Sequence, residues 1–315
     1  MSIHDFESAL PDLHMLTVIA ETRSLTQAAR RLGIAKSSVS MRLRDLERAL
    51  GVPLVRRTTR SITLTAAGQQ LVDETGASFA HIERGIAGVK DLAGAPRGLV
   101  RVTAPVALGR QHIAPAIPAL LERYPELRLE LDLSDRFVNL TQEGFDVAVR
   151  HASRVPDSHV ATVLCESRSV LLASPKYLAR RGVPEHPSEL ATHECLLYLR
   201  DGGSPSWSFE RRARVSERLS VPVRGPLRAN NSEVLREAAA AGLGVGLLPD
   251  FTAWSGVATR ELVPVLPQWR PVGFFGERLQ AIRPWSPRTP RAVQCVIDHL
   301  RQTFSRGFRP PPAPI

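Results

Sequence analysis

Residues 24–60 constrain this chain more than any other stretch. Ser24-Leu25-Thr26-Gln27 has the Ser-x-x-Gln form of a capping box. The spacing predicts a helix start there, because the serine hydroxyl and the glutamine side chain satisfy each other's backbone N–H groups. Ala28, Ala29 and Leu32 form the apolar side of this helix, and Gly33 can take the left-handed conformation that ends it. A second helix is predicted from about residue 36 to 50. Val39, Leu43, Leu46 and Leu50 fall at i, i+4, i+7 and i+11, a single buried face. The opposite face carries Ser37, Ser40, Met41, Arg44 and Arg48, and Gly51 stops the helix. Residues 54–64 then read as two short strands around a polar, cationic tip.

The charge of this stretch favours a polyanion. Between Arg23 and Arg60 ten basic residues face only Asp45 and Glu47, a net +8 over 38 residues. Residues 1–95 together carry only +2, so the local cluster, not the total, supports the argument. An outer face of hydroxyl and guanidinium groups suits the phosphates and base edges of a major groove. A solvated basic helix pair explains the charge but not the helix-turn-helix spacing followed by a basic wing. Ser24, Thr26, Gln27, Lys36, Ser37, Ser38, Ser40, Met41, Arg44, Arg56, Arg57 and Arg60 are the candidate DNA-facing residues.

The same stretch resembles the N-terminus of LysR-type bacterial transcriptional regulators. The matching residues are Leu13-His14-Met15-Leu16, Ala20, Ser24 through Leu32, and Ser37-Ser38-Val39-Ser40. After them come Leu43, Leu46-Glu47, Leu50-Gly51, Leu54, Arg57-Thr58 and Leu64-Thr65-Ala66-Ala67-Gly68. Many family members have Arg or Lys directly after the serine that matches Ser40; this chain has Met41, which removes a cation there. The resemblance implies a winged helix-turn-helix over about residues 9–66 and a linker helix over 67–93.

A chain of 315 residues suits two or three domains. A net charge of +10 favours polyanionic partners only weakly. Cys165, Cys195 and Cys295 are too few and too far apart for a disulfide framework or a zinc site. Residues 1–7 show neither a cationic nor an apolar signal region, and no long apolar run occurs. A cytoplasmic protein without a membrane span is therefore expected.

Taken in order, residues 12–21 predict a first helix with Leu13, Leu16, Ile19 and Ala20 inside. Thr65 reads as the N-cap of a long helix reaching about residue 92. Val72, Thr75, Phe79, Ile82, Ile86, Val89 and Ala93 recur at alternating steps of 3 and 4, a heptad seam. The competing reading is a helix lying on its own domain; the narrow stripe favours pairing with a second copy. Gly94-Ala95-Pro96-Arg97-Gly98 has a hinge composition. Strands are predicted at 99–103, 127–133, 145–150, 170–173, 207–210, 219–223, 227–229, 245–248, 262–266 and 272–275, with one more at Leu196. Helices are predicted at 113–121, 138–142, 176–180, 232–241 and 291–304. This alternation argues for parallel or mixed α/β sheets. The proline-rich tail, 305–315, is expected to be disordered.

The pattern after residue 98 leaves one large domain or two lobes open. Here the resemblance implies two. Residues 98–304 resemble the effector-binding region of LysR-type regulators, which is itself similar to periplasmic binding proteins. The matches are residues 101–106, Pro115, Tyr124-Pro125, 144–150, 172–178 and 241–249. The family threads its chain between the lobes twice, which maps here near 164–168 and 262–267. That implies lobe I at about 98–166 and 267–304, and lobe II at about 167–266. The resemblance further implies a homodimer through the linker helix, association into tetramers, a pseudo-palindromic double-stranded DNA operator and a small-molecule effector.

A ligand between two α/β lobes sits at strand C-termini and helix N-termini. Three segments are placed for this: Thr103-Ala104-Pro105-Val106, Arg150-His151 and Asn231-Ser232. Each also fits plain loop and capping chemistry. Family members that bind small carboxylates often have a hydroxyl residue just after the first strand, where this chain has Ala104, Pro105 and Val106. A more apolar or aromatic effector follows, with Arg150 or Asn231 as its polar anchor.

Enzyme patterns are missing. Gly242, Gly244 and Gly246 are not spaced as a dinucleotide loop, and no Walker A sequence occurs. His193-Glu194-Cys195 lacks paired ligands at zinc spacing. Ser204, Ser206 and Ser208 sit in no nucleophile elbow. No enzyme, cofactor or metal is expected. The rival class, a free solute-binding protein, needs a signal segment and has no use for residues 24–60.

Overall fold

The computed structural model describes residues 3–57, 62–90, 95–136, 138–152, 155–199, 205–212 and 214–308. The chain divides into two compact units.

The first unit starts with α1 (Ile3–Thr22), which runs through Pro11. It is longer than the predicted 12–21: a proline is a natural helix start, and here the helix continues past it. Arg23 ends α1 at φ 50°, donating its N–H to Ile19 O at 2.8 Å. In α2 (Leu25–Leu32) the Ser24 hydroxyl accepts from Gln27 N, and Gly33 closes the helix at φ 68°. In α3 (Lys36–Leu50) Val39, Leu43 and Leu46 are buried, and Gly51 closes it at φ 70°. Leu50 departs from the predicted apolar face and is 44% exposed, because the last turn of α3 has left the core. The wing pairs β1 (Val55–Arg57) antiparallel with β2 (Ile62–Leu64), Val55 opposite Leu64. Its tip, including Arg60, lies outside the described residues. Thr65 caps α4 (Ala66–Lys90), accepting from Gly68 N at 3.1 Å and donating to Pro53 O at 2.7 Å. Gly68 is required: a Cβ there would lie 2.1 Å from Leu54 O. Met15, Leu16, Ile19, Ala28, Val39, Leu43 and Leu54 form one core.

The second unit opens with β3 (Gly98–Ala104). A helical run follows: α5 (Val106–Leu108), a π-type turn at Gly109–Ile113, a 3-10 turn at Ala114–Ala116 and α6 (Ile117–Arg123). It extends the predicted 113–121 helix in both directions. Next along the chain come β4 (Leu127–Leu133), the short α7 (Leu140–Glu143) and then, again in the second unit, β5 (Val147–His151) and β6 (His159–Glu166). The middle of the unit contains β7 (Ser169–Ala173), α8 (Pro175–Arg181), β8 (Cys195–Tyr198), β9 (Ser206–Arg211), β10 (Arg214–Pro222), β11 (Arg228–Ala229), α9 (Ser232–Ala240), β12 (Val245–Pro249), α10 (Asp250–Ala258), β13 (Val263–Pro264) and β14 (Trp269–Val272). The last elements are β15 (Arg278–Pro284) and α11 (Arg291–Thr303). Residues 309–315 of the predicted disordered tail lie outside the described residues.

Two mixed five-stranded sheets organise this unit. Lobe I has strand order β4-β3-β5-β15-β6, and lobe II has β11-β8-β12-β7-β13 beside a three-stranded sheet, β10-β9-β14. In lobe I, Val100, Val102, Val147, Val149, Leu279 and Ala281 share a core with Val293, Val296 and Leu300 of α11. The chain passes to lobe II at Ser167-Arg168 and returns between β14 and β15, at residues 273–277. The return is later than the predicted 262–267. Residues 269–272 pair with β9, and Trp269 is buried in the lobe II core, so lobe II keeps them.

Three elements escape the sequence reading. β6 is an edge strand. In β15 only Leu279 and Ala281 are buried, among Arg278, Gln280 and Arg283. α10 buries Asp250, Phe251, Thr252, Ala253 and Gly256, so it has no amphipathic stripe to read.

Candidate functional site

In the first unit, α3 presents a polar face opposite its core. Lys36, Ser37 and Arg44 are exposed, Ser38 and Ser40 half-buried, and Met41 is 53% exposed. Thr26 and Gln27 of α2 and Arg56 of the wing are also exposed. The Ser24 hydroxyl is engaged as the α2 cap. Several cations of the basic cluster work inside the unit instead. Arg42 Nε bonds Asp12 at 2.6 Å, Arg48 bonds Asp45 at 2.8 Å, and Arg31 pairs with Glu21. The Arg57 side chain and Arg60 lie outside the described residues. Glu47, counted in the sequence only as a charge, ties the wing to α3: its Oε1 accepts from Leu54 N at 2.8 Å and Val55 N at 3.1 Å.

The heptad seam of α4 is divided. Val72 packs on the unit's own core, a Cβ on Gly76 would touch Thr17 Cγ2 at 3.5 Å, and the Phe79 ring lies 5.3 Å from His14. The competing reading therefore holds for residues 72–79, which lie against α1 of the same chain. Ile82 is 53% exposed. The side chains of Ile86 and Val89, and all of Ala93, lie outside the described residues.

In the second unit, the ends of β3, β4 and β5 come together. Thr103 and Ala104 are fully buried. Arg150 Nη2 donates to Thr103 Oγ1 at 3.2 Å and to the backbone oxygens of Ser134 at 2.8 Å and Arg136 at 3.4 Å. Its Nη1 is buried without a hydrogen-bond partner among the described residues. Burial lowers the Arg150 pKa to about 10, against the pull of Asp135 and Asp132, so the guanidinium stays charged at neutral pH. Beyond Pro105, Val106 N donates to Asp135 Oδ1 at 3.1 Å.

Lobe II meets this edge directly. Asn231 Oδ1 caps α9 by accepting from Glu233 N and Val234 N, while its Nδ2 donates to Asp135 Oδ2 at 2.7 Å. Glu233 reaches back to lobe I, accepting from Gln111 Nε2 at 2.8 Å and Arg110 Nη1 at 3.4 Å. Thr103, Val106, Arg150 and Asn231 are thus brought together around Asp135.

Ser232 and His151 are not. The Ser232 hydroxyl is buried against Thr252 Oγ1 at 2.9 Å. Successive strand residues point to opposite faces, so His151 leaves the face of Arg150. Its Nε2 lies 2.7 Å from Ser167 Oγ, which donates to Asp250 Oδ1 at 2.6 Å. Asp250 also accepts from Arg168 N and Phe251 N, each at 3.0 Å. The His151 ring stacks on Phe251 at 5.6 Å. Burial lowers the His151 pKa to about 4 and raises that of Asp250 to about 6 despite its hydrogen bonds. Histidine, serine and aspartate in a chain suggest a nucleophile, but the serine proton points to the aspartate. The imidazole donates rather than accepts, so nothing activates the hydroxyl. Among the described residues no group of His, Cys, Asp and Glu is arranged to hold a metal ion, and no helix is long and apolar enough to cross a membrane.

Comparison with known proteins places both units. Residues 10–69 match the bacterial regulatory helix-turn-helix protein, lysR family, and residues 93–305 match the LysR substrate binding domain. The chain belongs to the LysR family. It is similar to the HTH-type transcriptional regulator PtxR of Pseudomonas aeruginosa, at 34% identity over 94% of this chain and 93% of that protein. It is also similar to the HTH-type transcriptional regulator DmlR of Escherichia coli, at 28% identity over 95% of each. Among solved structures, CrgA, a LysR-type transcriptional regulator from Neisseria meningitidis, matches with a TM-score of 0.58 and 26% identity, over 94% of this chain and 98% of that one. The Vibrio cholerae virulence activator AphB matches with a TM-score of 0.58 and 25% identity, over 92% and 98%. As a LysR-type regulator the chain is a DNA-binding transcriptional regulator with an effector-binding domain, not an enzyme.

The sequence reading missed several residues of this LysR effector region: Ser134, Asp135, Gln111, Glu233, Ser167 and Asp250. A signal existed for Asp135. It follows β4, a parallel neighbour of β3, and ligand sites gather at the carboxyl ends of such strands.

Proposed function

We propose that the regulator reads DNA with the outer face of α3 and the wing, and answers to an effector held beside Arg150. Lys36, Ser37, Ser38, Ser40, Arg44, Arg56, Arg57 and Arg60 contact the duplex, with Thr26 and Gln27 at the start of α2. Met41 supplies an apolar contact in place of a cation. Two copies joined through α4, where Ile82 is exposed, present two such faces to a pseudo-palindromic operator, and further association gives a tetramer. The protein works in the cytoplasm.

The observation that carries the effector reading is the buried Nη1 of Arg150, which has no hydrogen-bond partner among the described residues. An unsatisfied buried donor costs about 1–3 kcal/mol, and a bound oxygen acceptor removes that cost. Thr103 holds the same guanidinium, Val106 and Asn231 join it through Asp135, and Ala104 and Pro105 connect Thr103 to Val106, whereas His151 and Ser232 turn to other partners. An effector that binds one arrangement of the lobes better than another shifts the population between them, by no more than that difference in affinity.

Selection of genomic fragments by the purified protein identifies the operator, and its neighbouring genes suggest compounds to screen. Arg150→Ala then raises the effector concentration needed for a response and leaves basal operator affinity nearly unchanged. A compound that binds Arg150→Ala as tightly as the parent rules out this site.

A further inference from the structure

The Asp135 carboxylate lies between a backbone N–H and a side-chain amide that come from different lobes. Oδ1 accepts from Val106 N of lobe I at 3.1 Å, and Oδ2 accepts from Asn231 Nδ2 of lobe II at 2.7 Å. The same carboxylate is the leading electrostatic partner of Arg150. Arg150 itself is held by Thr103 and two carbonyls, and its buried Nη1 has no partner among the described residues.

We propose that Asp135 is an internal carboxylate that occupies the anion position of the cleft and restricts the effector to uncharged molecules offering an oxygen acceptor to Arg150. The inference rests on the effector reading given above. Two of the donors that an incoming carboxylate needs are already engaged, by a carboxylate that costs no binding entropy because it is part of the chain. The charge of Arg150 is also already offset. An anion brought beside it meets the fields of Asp135 and Asp132 together, and a charge desolvated without a counterion is disfavoured. A carbonyl or hydroxyl group meets no such repulsion and still accepts from Nη1. Asp135 thus acts on the charge class of the effector, not on its shape.

Chemical rescue of the full-length protein tests this. Asp135→Ala removes the carboxylate and opens a space of its size beside Val106 N, Asn231 and Arg150. Millimolar acetate is expected to raise the Tm of this variant and to leave the parent unmoved, while acetamide, its neutral counterpart, moves neither. Asp135→Asn keeps the shape without the charge and serves if the alanine variant does not fold. It is expected to bind benzoate about tenfold more tightly than the parent does, with benzamide affinity unchanged. Acetate stabilising parent and variant alike, or no gain of anion binding in either variant, overturns the assignment. The readouts involve no DNA, so the two readings fail separately. Rescue by acetate with no small molecule altering operator binding sinks the effector reading alone. A regulator that responds to small molecules without rescue sinks the Asp135 assignment alone.

Discussion

Asp250 and His151 are coupled through Ser167 at the first crossing between the lobes, and they titrate against each other. Asp250 has a folded pKa of about 6, raised from 3.8 by burial. The folded state therefore takes up a proton before the unfolded state does, and stability increases as pH falls from about 6 toward 3.8. His151 has a folded pKa of about 4, lowered from 6.5 by burial. Its unfolded state takes up the proton first, and stability is lost as pH falls from 6.5 toward about 4. At 1.36 kcal/mol per pKa unit, going from neutral pH to about pH 4 adds roughly 2 kcal/mol through Asp250 and removes roughly 3 kcal/mol through His151. The His151 figure is an upper bound, because part of the ring remains accessible. The two nearly cancel, so the pair itself is expected to add little net pH dependence between neutral pH and about pH 4. Cys165, whose thiol is raised to about 12 by burial and by Asp250 and Glu166, stays neutral throughout.

Single substitutions unmask each half. Tryptophan fluorescence reads this unit alone, since Trp207, Trp254, Trp269 and Trp285 all lie in it. In urea titrations, the stability of Asp250→Asn relative to the parent is expected to fall by roughly 2 kcal/mol between neutral pH and about pH 4. His151→Phe keeps the stack on Phe251, and its relative stability is expected to rise by up to roughly 3 kcal/mol over the same interval. Relative stabilities that do not change with pH would falsify the opposed titration, whatever the stabilities at neutral pH.

Four further outcomes are expected. Arg56→Ala weakens binding similarly on all DNA sequences and reduces the slope of log affinity against log salt by about 1, read by fluorescence anisotropy; an unchanged slope removes Arg56 from the interface. Ile82→Asp yields monomers in light scattering, and an intact dimer shows that α4 does not pair there. Glu47→Ala strips Leu54 N and Val55 N of their acceptor and costs the first unit about 2 kcal/mol in thermal unfolding. Arg23→Gly relieves the left-handed backbone and stabilises that unit by about 1 kcal/mol; equal or lower stability shows that the Arg23 side chain compensates the strain.

Legibility follows how local the physics is. The helix ends at Ser24, Gly33, Gly51 and Thr65 are settled by contacts within a few residues, and each is where the sequence places it. β4 is legible because one face is more buried than the other along its length. α10 and β15 are not. The first is buried around most of its surface, and the second is an interior strand whose neighbours, β5 and β6, lie more than a hundred residues earlier. The seam of α4 is the intermediate case. Its spacing is plainly apolar, but spacing alone does not distinguish a second copy from α1, which fills residues 72–79.

The proposed effector cleft is less legible than the proposed DNA-reading surface for the same reason. The outer face of α3 is defined by what the helix buries, so Val39, Leu43 and Leu46 settle which residues point outward. The cleft is defined by bonds between residues remote in sequence: Arg150 with Thr103, Asp135 with Asn231, Gln111 with Glu233. Sequence reasoning selects Arg150 and Asn231 because they lie near the end of a strand and at the start of a helix, but it cannot assign their donors. The structure shows Asn231 already occupied by its cap and by Asp135, and Arg150 with one donor to spare. Of the two polar anchors expected from the sequence, only Arg150 is available without breaking an existing bond. Asn231 becomes available only if Asp135 moves, and that movement would also release a tie between the lobes. On the proposed reading, ligand selection and this tie between the lobes depend on the same carboxylate.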